Sequence, residues 1–277
     1  MEDLNATERW DKSGLLSEVG DFGRAAINEE FESMKAIQKV VPGFIAPAIA
    51  QGSMKNKPDC HFYLGRYLPI IDELVEPSSF REQIARLHRN SVSLNKKFGF
   101  HTVTFNGDLP QKIDYSDSWE SFFADGFSHM LDINTERAGP SEELEALRPA
   151  FFEKVIPRLL RPLEGRIKPS LVLHKDGDLW YGNAGVNTLE DKAVIFDPGC
   201  FYAHNEYELG NWRAKRNKFS KAYFDAFMPI FQRLRLKRTM KIALFCTLYA
   251  LICMLIIQDM KNLVEKYPKG LSSDFEA

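Results

Sequence analysis

The sequence predicts an α+β protein of two lobes, a small strand-bearing front part followed by a larger, mainly helical part with one embedded hairpin. Three observations carry this expectation. Short apolar runs bounded by turn residues fall before Pro69, and helical periodicity dominates after it. Two further short runs, Leu171-Val172-Leu173 and Val194-Ile195-Phe196, interrupt the helical part between polar, glycine-containing loops. With 277 residues and 44% hydrophobic content, the chain can bury a sizeable core.

The elements follow in order. The stretch to about Asp21 lacks clear periodicity and contains Gly14 and Gly20. From Glu29 to Val40 the residues Phe31, Met34, Ile37 and Val40 recur at helical spacing, and Pro42 ends the pattern. Ala48-Ile49-Ala50 before Gly52, and His61 to Leu68 before Pro69, suit strands. Ser79 with Glu82 reads as a capping box opening a helix with Phe80, Ile84 and Leu87 on one face. Asp117 with Glu120 reads as another, ahead of Trp119, Phe122, Phe123, Phe127, Met130 and Leu131. Ser141 to Leu160 keeps the helical period, although Pro149 and Pro157 must kink or break it. After Glu206 the pattern is helical again to near Tyr267.

Composition excludes some function classes. A formal net charge of −2 offers no broad electrostatic footprint for nucleic acid, and the basic run Arg233 to Lys241 reads as a solvated helix face. Cys60, Cys200, Cys246 and Cys253 are scattered, which fits reduced thiols and a cytoplasmic location better than disulfides or a zinc site. The first residues are acidic and polar, so no signal or transit peptide is expected. Ile242 to Ile257 is almost wholly apolar but short of the roughly 18 residues a bilayer span needs. It reads as a buried bundle helix, and no membrane partner is expected.

The chemistry concentrates in His174-Lys175-Asp176-Gly177-Asp178-Leu179-Trp180-Tyr181-Gly182-Asn183, followed by Phe196-Asp197-Pro198-Gly199. Phosphoryl transfer to a hydroxyl needs a base beside the acceptor and oxygen ligands for magnesium. Asp178, Asn183 five residues later, and Asp197 after the next strand reproduce the spacing of such a site. Asp178 would accept the proton, while Asn183 and Asp197 would hold Mg2+, whose hard charge prefers carboxylate and amide oxygens. On spacing alone a second reading stays open, in which all three residues are turn formers.

Gly177-Asp178-Leu179-Trp180, Gly182-Asn183, Asp197-Pro198 and Tyr202 to Gly210 together resemble the signature of the fructosamine kinases, a family within the aminoglycoside and choline kinase-like group. Glu30-Phe31-Glu32-Ser33, Leu87-His88, Lys97 to Phe100, Ser118 to Phe123 and Asp259-Met260 near Lys266-Tyr267 resemble it too, so the likeness runs from about Gly20 to Tyr267. The resemblance implies a protein kinase-like two-lobed fold, with a remnant of the nucleotide-binding lobe over residues 1–68 and a helical C-terminal lobe over 69–277. It implies ATP and Mg2+ as cofactors. The implied reaction phosphorylates the 3-hydroxyl of ketosamines on glycated proteins or small amines, a deglycation repair. In that frame Asp178 is the base, Asn183 and Asp197 are metal ligands, and Glu30 is the helix glutamate of the nucleotide side. Trp180 is either a platform for the sugar ring or a core aromatic beneath the loop. His204, Glu206 and Glu208 match family positions and read as supporting rather than substrate-touching.

The chain departs from the family pattern at its front end, in the catalytic loop and near Ile257, where it is shorter than the family's helical tail. The expected lysine strand and glycine-rich hairpin have no counterpart before Gly20, with Leu16 near the lysine's place and Lys12 a remote substitute. Lys175-Asp176 separates His174 from Gly177, which makes Asp176 an alternative base on paper. The alternative to an active kinase is an impaired member that binds a ligand or protein partner.

Overall fold

The computed structural model describes residues 15–165, 167–173, 179–209, 218–219, 221–223, 225–226 and 254–270. The chain opens with β1 (Leu15–Val19), α1 (Gly20–Val40), β2 (Ala48–Met54) and β3 (Lys57–Gly65). The three strands form one antiparallel sheet in the order β1-β3-β2, and α1 packs on it. The helix begins well before the Glu29 expected from periodicity, because Gly20 at φ 80° lets the chain turn straight from β1 into it. Ile27, Met34 and Ile37, spaced along one face, are its buried apolar residues.

A short strand β4 (Ile70–Ile71) leads to α2 (Pro77–Asn90), whose buried face carries Phe80, Ile84, Leu87 and His88. The expected capping box of Ser79 is corrected. Glu76 is the cap, its carboxylate accepting the Ser79 backbone N–H at 2.7 Å, and Pro77 fills the first turn, where no N–H is needed. After the small hairpin β5 (Phe105–Asn106) and β6 (Leu109–Pro110) comes α3 (Trp119–Ala138). Its cap is also corrected, from Asp117 to Ser118, whose Oγ accepts the Ser121 N–H at 3.1 Å. Asp117 is drawn outward instead, paired with Lys97 at 2.8 Å. The helix α4 (Glu142–Ala150) contains Pro149, then gives way to a π turn at Phe151–Val155 and resumes as α5 (Ile156–Leu160). The prolines break the ladder there as their missing N–H groups require.

The strands β7 (Ser170–Leu173), β8 (Ala184–Asn187), β9 (Lys192–Ile195) and β10 (Cys200–Ala203) complete the described sheet structure, followed by a 3₁₀ turn at Asn205–Leu209 and α6 (Met254–Lys266). The runs 171–173 and 194–196 do not pair with each other: β7 pairs with β10, and β9 with β8. An aromatic core of Phe98, Trp119, Phe122, Phe123, Phe127, Phe151, Phe201 and Tyr207 fills the space between α3 and β10. Most of the apolar run Ile242–Ile257, together with Cys246 and Cys253, lies outside the described residues; within them, no helix is long and apolar enough to cross a membrane.

Candidate functional site

Asn183 closes a 3₁₀ turn, Tyr181–Asn183, and Asp197 stands two residues beyond the end of β9. Asn183 donates its backbone N–H to the Trp180 carbonyl at 3.1 Å and accepts the Phe196 N–H at 3.1 Å. The second bond ties the loop of Asn183 to the residue before Asp197. Asn183 and Asp197 thus line one small cavity together with Leu173, Leu179, Ile195, Phe196, Pro198 and Gly199. Its volume of about 10 Å³ is the scale of one water-sized group. Asp197 has φ 50°, the left-handed region that aspartate tolerates better than most side chains.

The donors fit magnesium. A carboxylate and a side-chain amide are hard oxygen ligands, and Mg2+ commonly takes only one or two protein oxygens beside phosphates and waters. Among the described residues no group of three or more His, Cys, Asp or Glu is placed to hold a metal. Asp178 and Asp176 lie outside the described residues, which resume at Leu179.

Trp180 is half-buried and lies outside the core. Its indole packs edge-on to Tyr181 at 4.8 Å between centroids and against Gly182, where an added β-carbon would come 2.4 Å from the ring. The glycine is needed for that close approach. Lys218 holds its ammonium 4.1 Å from the centre of the Tyr181 ring.

Glu30 is buried on α1 at 2% exposure. It neighbours Tyr63 of β3, whose phenol is pushed well above its usual range by burial and then by the Glu30 charge. In the sheet register Leu16 stands opposite Tyr63, so position 16 is brought to the strand pair that adjoins Glu30. Glu30 does not line the cavity of Asn183 and Asp197: it lies on the helix that packs on the three-stranded sheet, whereas Asn183 immediately precedes β8 and Asp197 follows β9.

Sequence reasoning did not anticipate how β7 is held. Its Leu171 N–H donates to Ser91 Oγ at 2.8 Å and its Leu173 N–H to Glu208 Oε2 at 2.9 Å. The same Glu208 oxygen meets His88 Nε2 at 3.2 Å. Burial pushes the Glu208 carboxyl up, while His88 and the Leu173 N–H pull the other way. These side chains replace a missing neighbour strand on the edge of β7 that faces away from β10. Leu173 then leads directly toward residues 174–178. His204, Glu206 and Glu208 are all buried. His204 Nδ1 accepts the Glu206 backbone N–H at 3.0 Å, which keeps the ring neutral with its proton on Nε2. Pairings that span 35 and 120 residues leave no local signal in the sequence.

Comparison with known proteins gives a consistent answer. The profile of the fructosamine kinase family matches residues 22–250. A ketosamine-3-kinase of Mus musculus is 38% identical over 134 residues, covering 47% of this chain and 40% of its own length. A chloroplastic protein-ribulosamine 3-kinase of Oryza sativa subsp. indica is 31% identical over 170 residues, covering 58% and 46%. The chain spans about half the length of the curated relatives it matches. Among solved structures, a protein assigned as a fructosamine-3-kinase from Haemophilus somnus 129PT superposes with TM-score 0.66 at 18% identity, covering 91% of this chain and 82% of its own. A gentamicin complex of an aminoglycoside phosphotransferase superposes with TM-score 0.55 at 12% identity, covering 91% and 85%. At such identities these two structures speak to the fold, which is that of the kinase-like phosphotransferases.

Proposed function

Because the chain belongs to the fructosamine kinase family, we propose that it serves the ATP-dependent phosphorylation of the 3-hydroxyl of ketosamines, carried on glycated proteins or on small amines. The observation that supports this most is that Asn183 and Asp197 line one cavity, their segments tied by the Phe196 N–H donating to the Asn183 backbone carbonyl. Asn183 and Asp197 would hold magnesium, which when bound with ATP neutralises the charge of the phosphates. Asp178, five residues before Asn183, is assigned as the base that takes the proton of the sugar hydroxyl. Trp180 offers a half-exposed aromatic face at the turn that follows, suited to the apolar side of a sugar ring. Glu30 is assigned to the nucleotide side.

A 31P NMR assay of ribulosamine and fructosamine phosphorylation with magnesium-ATP tests this reading. Asp178→Asn should lower the rate by about 10²–10⁴-fold, the usual contribution of a positioned base, while Asp176→Asn costs far less. Equal losses in the two variants would overturn the assignment of the base. Retained ketosamine binding with no phosphoryl transfer by the unaltered chain would instead favour a binding role without catalysis.

A further inference from the structure

Asp197 sits in a short turn whose two ends are anchored to different elements. Upstream, the Ile195 N–H donates to the Phe44 carbonyl at 2.9 Å, and the Phe196 N–H donates to Asn183. Downstream, the Cys200 N–H donates to Ser33 Oγ at 3.1 Å, and the Cys200 thiol lies 3.8 Å from the Ser33 carbonyl oxygen. Ser33 and Cys200 are both fully buried, so water cannot replace either partner. Between the anchors, Asp197 holds a left-handed backbone, a conformation that persists only where its surroundings impose it. Ser33 lies three residues after Glu30 on α1, hence on the same face of one rigid helix.

We propose that Ser33 is a positioning residue for Asp197: it fixes the far end of the turn that presents this carboxylate, and so sets the reach of the metal ligand by the position of α1. The inference rests on the metal-binding reading of Asp197 and adds a device to it. Because α1 carries both Glu30 and Ser33, the position of this helix is passed to the Asp197 turn through the Ser33–Cys200 bond. Loss of the Ser33 hydroxyl leaves the Cys200 N–H buried without its acceptor and frees the turn to relax from its left-handed state.

The test compares Ser33→Ala with Thr104→Val, which removes an equally buried hydroxyl bonded to Gln111 rather than to the Asp197 turn. Two measurements are made on the full chain. Hydrogen exchange of the segment 196–201 should accelerate by about tenfold or more in Ser33→Ala and stay unchanged in Thr104→Val. Affinity for Mn2+ in the presence of ATP, read by electron paramagnetic resonance, should fall about five- to tenfold in Ser33→Ala alone, with Ser33→Thr restoring most of it. Unchanged exchange in Ser33→Ala overturns the inference, as does faster exchange with unaltered Mn2+ affinity, or an equal effect of Thr104→Val. If the unaltered chain or its Asp197→Asn variant shows that Asp197 holds no metal, the proposed function fails and the inference falls with it. The exchange data still report separately whether Ser33 anchors the turn.

Discussion

Replacing Glu206 by Gln should flatten the pH dependence of stability just above neutrality. Glu206 is 2% exposed, and its Oε1 has no hydrogen-bond partner among the described residues. Burial pushes its carboxyl up to about 8 from an ordinary 4.5. The folded state therefore keeps this proton up to about pH 8, whereas the unfolded chain releases it near 4.5. The folded state binds more protons across that window, so stability falls as pH rises through it. At about 1.4 kcal/mol per pH unit, flattening toward the upper limit, the loss between pH 6.5 and 8 is about 1.5 kcal/mol. For 277 residues that corresponds to about 3 °C in Tm. His204 acts at lower pH and in the opposite sense. Burial, and then the nearby His88, lowers it from 6.5 to about 4, so its contribution is complete above pH 6.5 and is lost as pH falls toward 4. Thermal unfolding of the native chain and of Glu206→Gln at several pH values from 6.5 to 8.5 isolates the Glu206 contribution as the difference of slopes. A Glu206→Gln slope equal to that of the native chain would refute the reasoning.

Three other outcomes are expected. Glu208→Leu should destabilise the chain by about 3–5 kcal/mol in urea titrations, because the Leu173 N–H and His88 both lose their partner, while Glu208→Gln keeps an acceptor for Leu173 and costs less. Gly65→Ala should cost about 1–3 kcal/mol, since the new carbon would stand 2.4 Å from the Tyr63 hydroxyl, and the cost should shrink in a Tyr63→Phe background. Glu76→Ala should cost about 1 kcal/mol of thermal stability through loss of the α2 cap, whereas replacing the Ser79 side chain should cost little, because only its backbone N–H is used.

The sequence by itself determined the α+β class, the helical spacing of Met34 and Ile37, the break of the α4 region at Pro149 and Pro157, and the family signature around Asp178, Asn183 and Asp197. These are local statements, set by periodicity, by ring chemistry and by spacing within a few residues. It misplaced both helix caps, because Ser79 with Glu82 and Asp117 with Glu120 match the capping-box pattern, whereas the true caps Glu76 and Ser118, one to three residues away, do not. Choosing between them depends on competing partners such as Lys97, which pulls Asp117 outward. What only the tertiary structure decided is the pairing of β7 with β10, the closing of its other edge by Ser91 and Glu208, and the anchoring of the Asp197 turn by Ser33. The last joins residues 167 positions apart. Such bonds form because a buried N–H must find an acceptor wherever the fold brings one, and no spacing along the chain records where that will be.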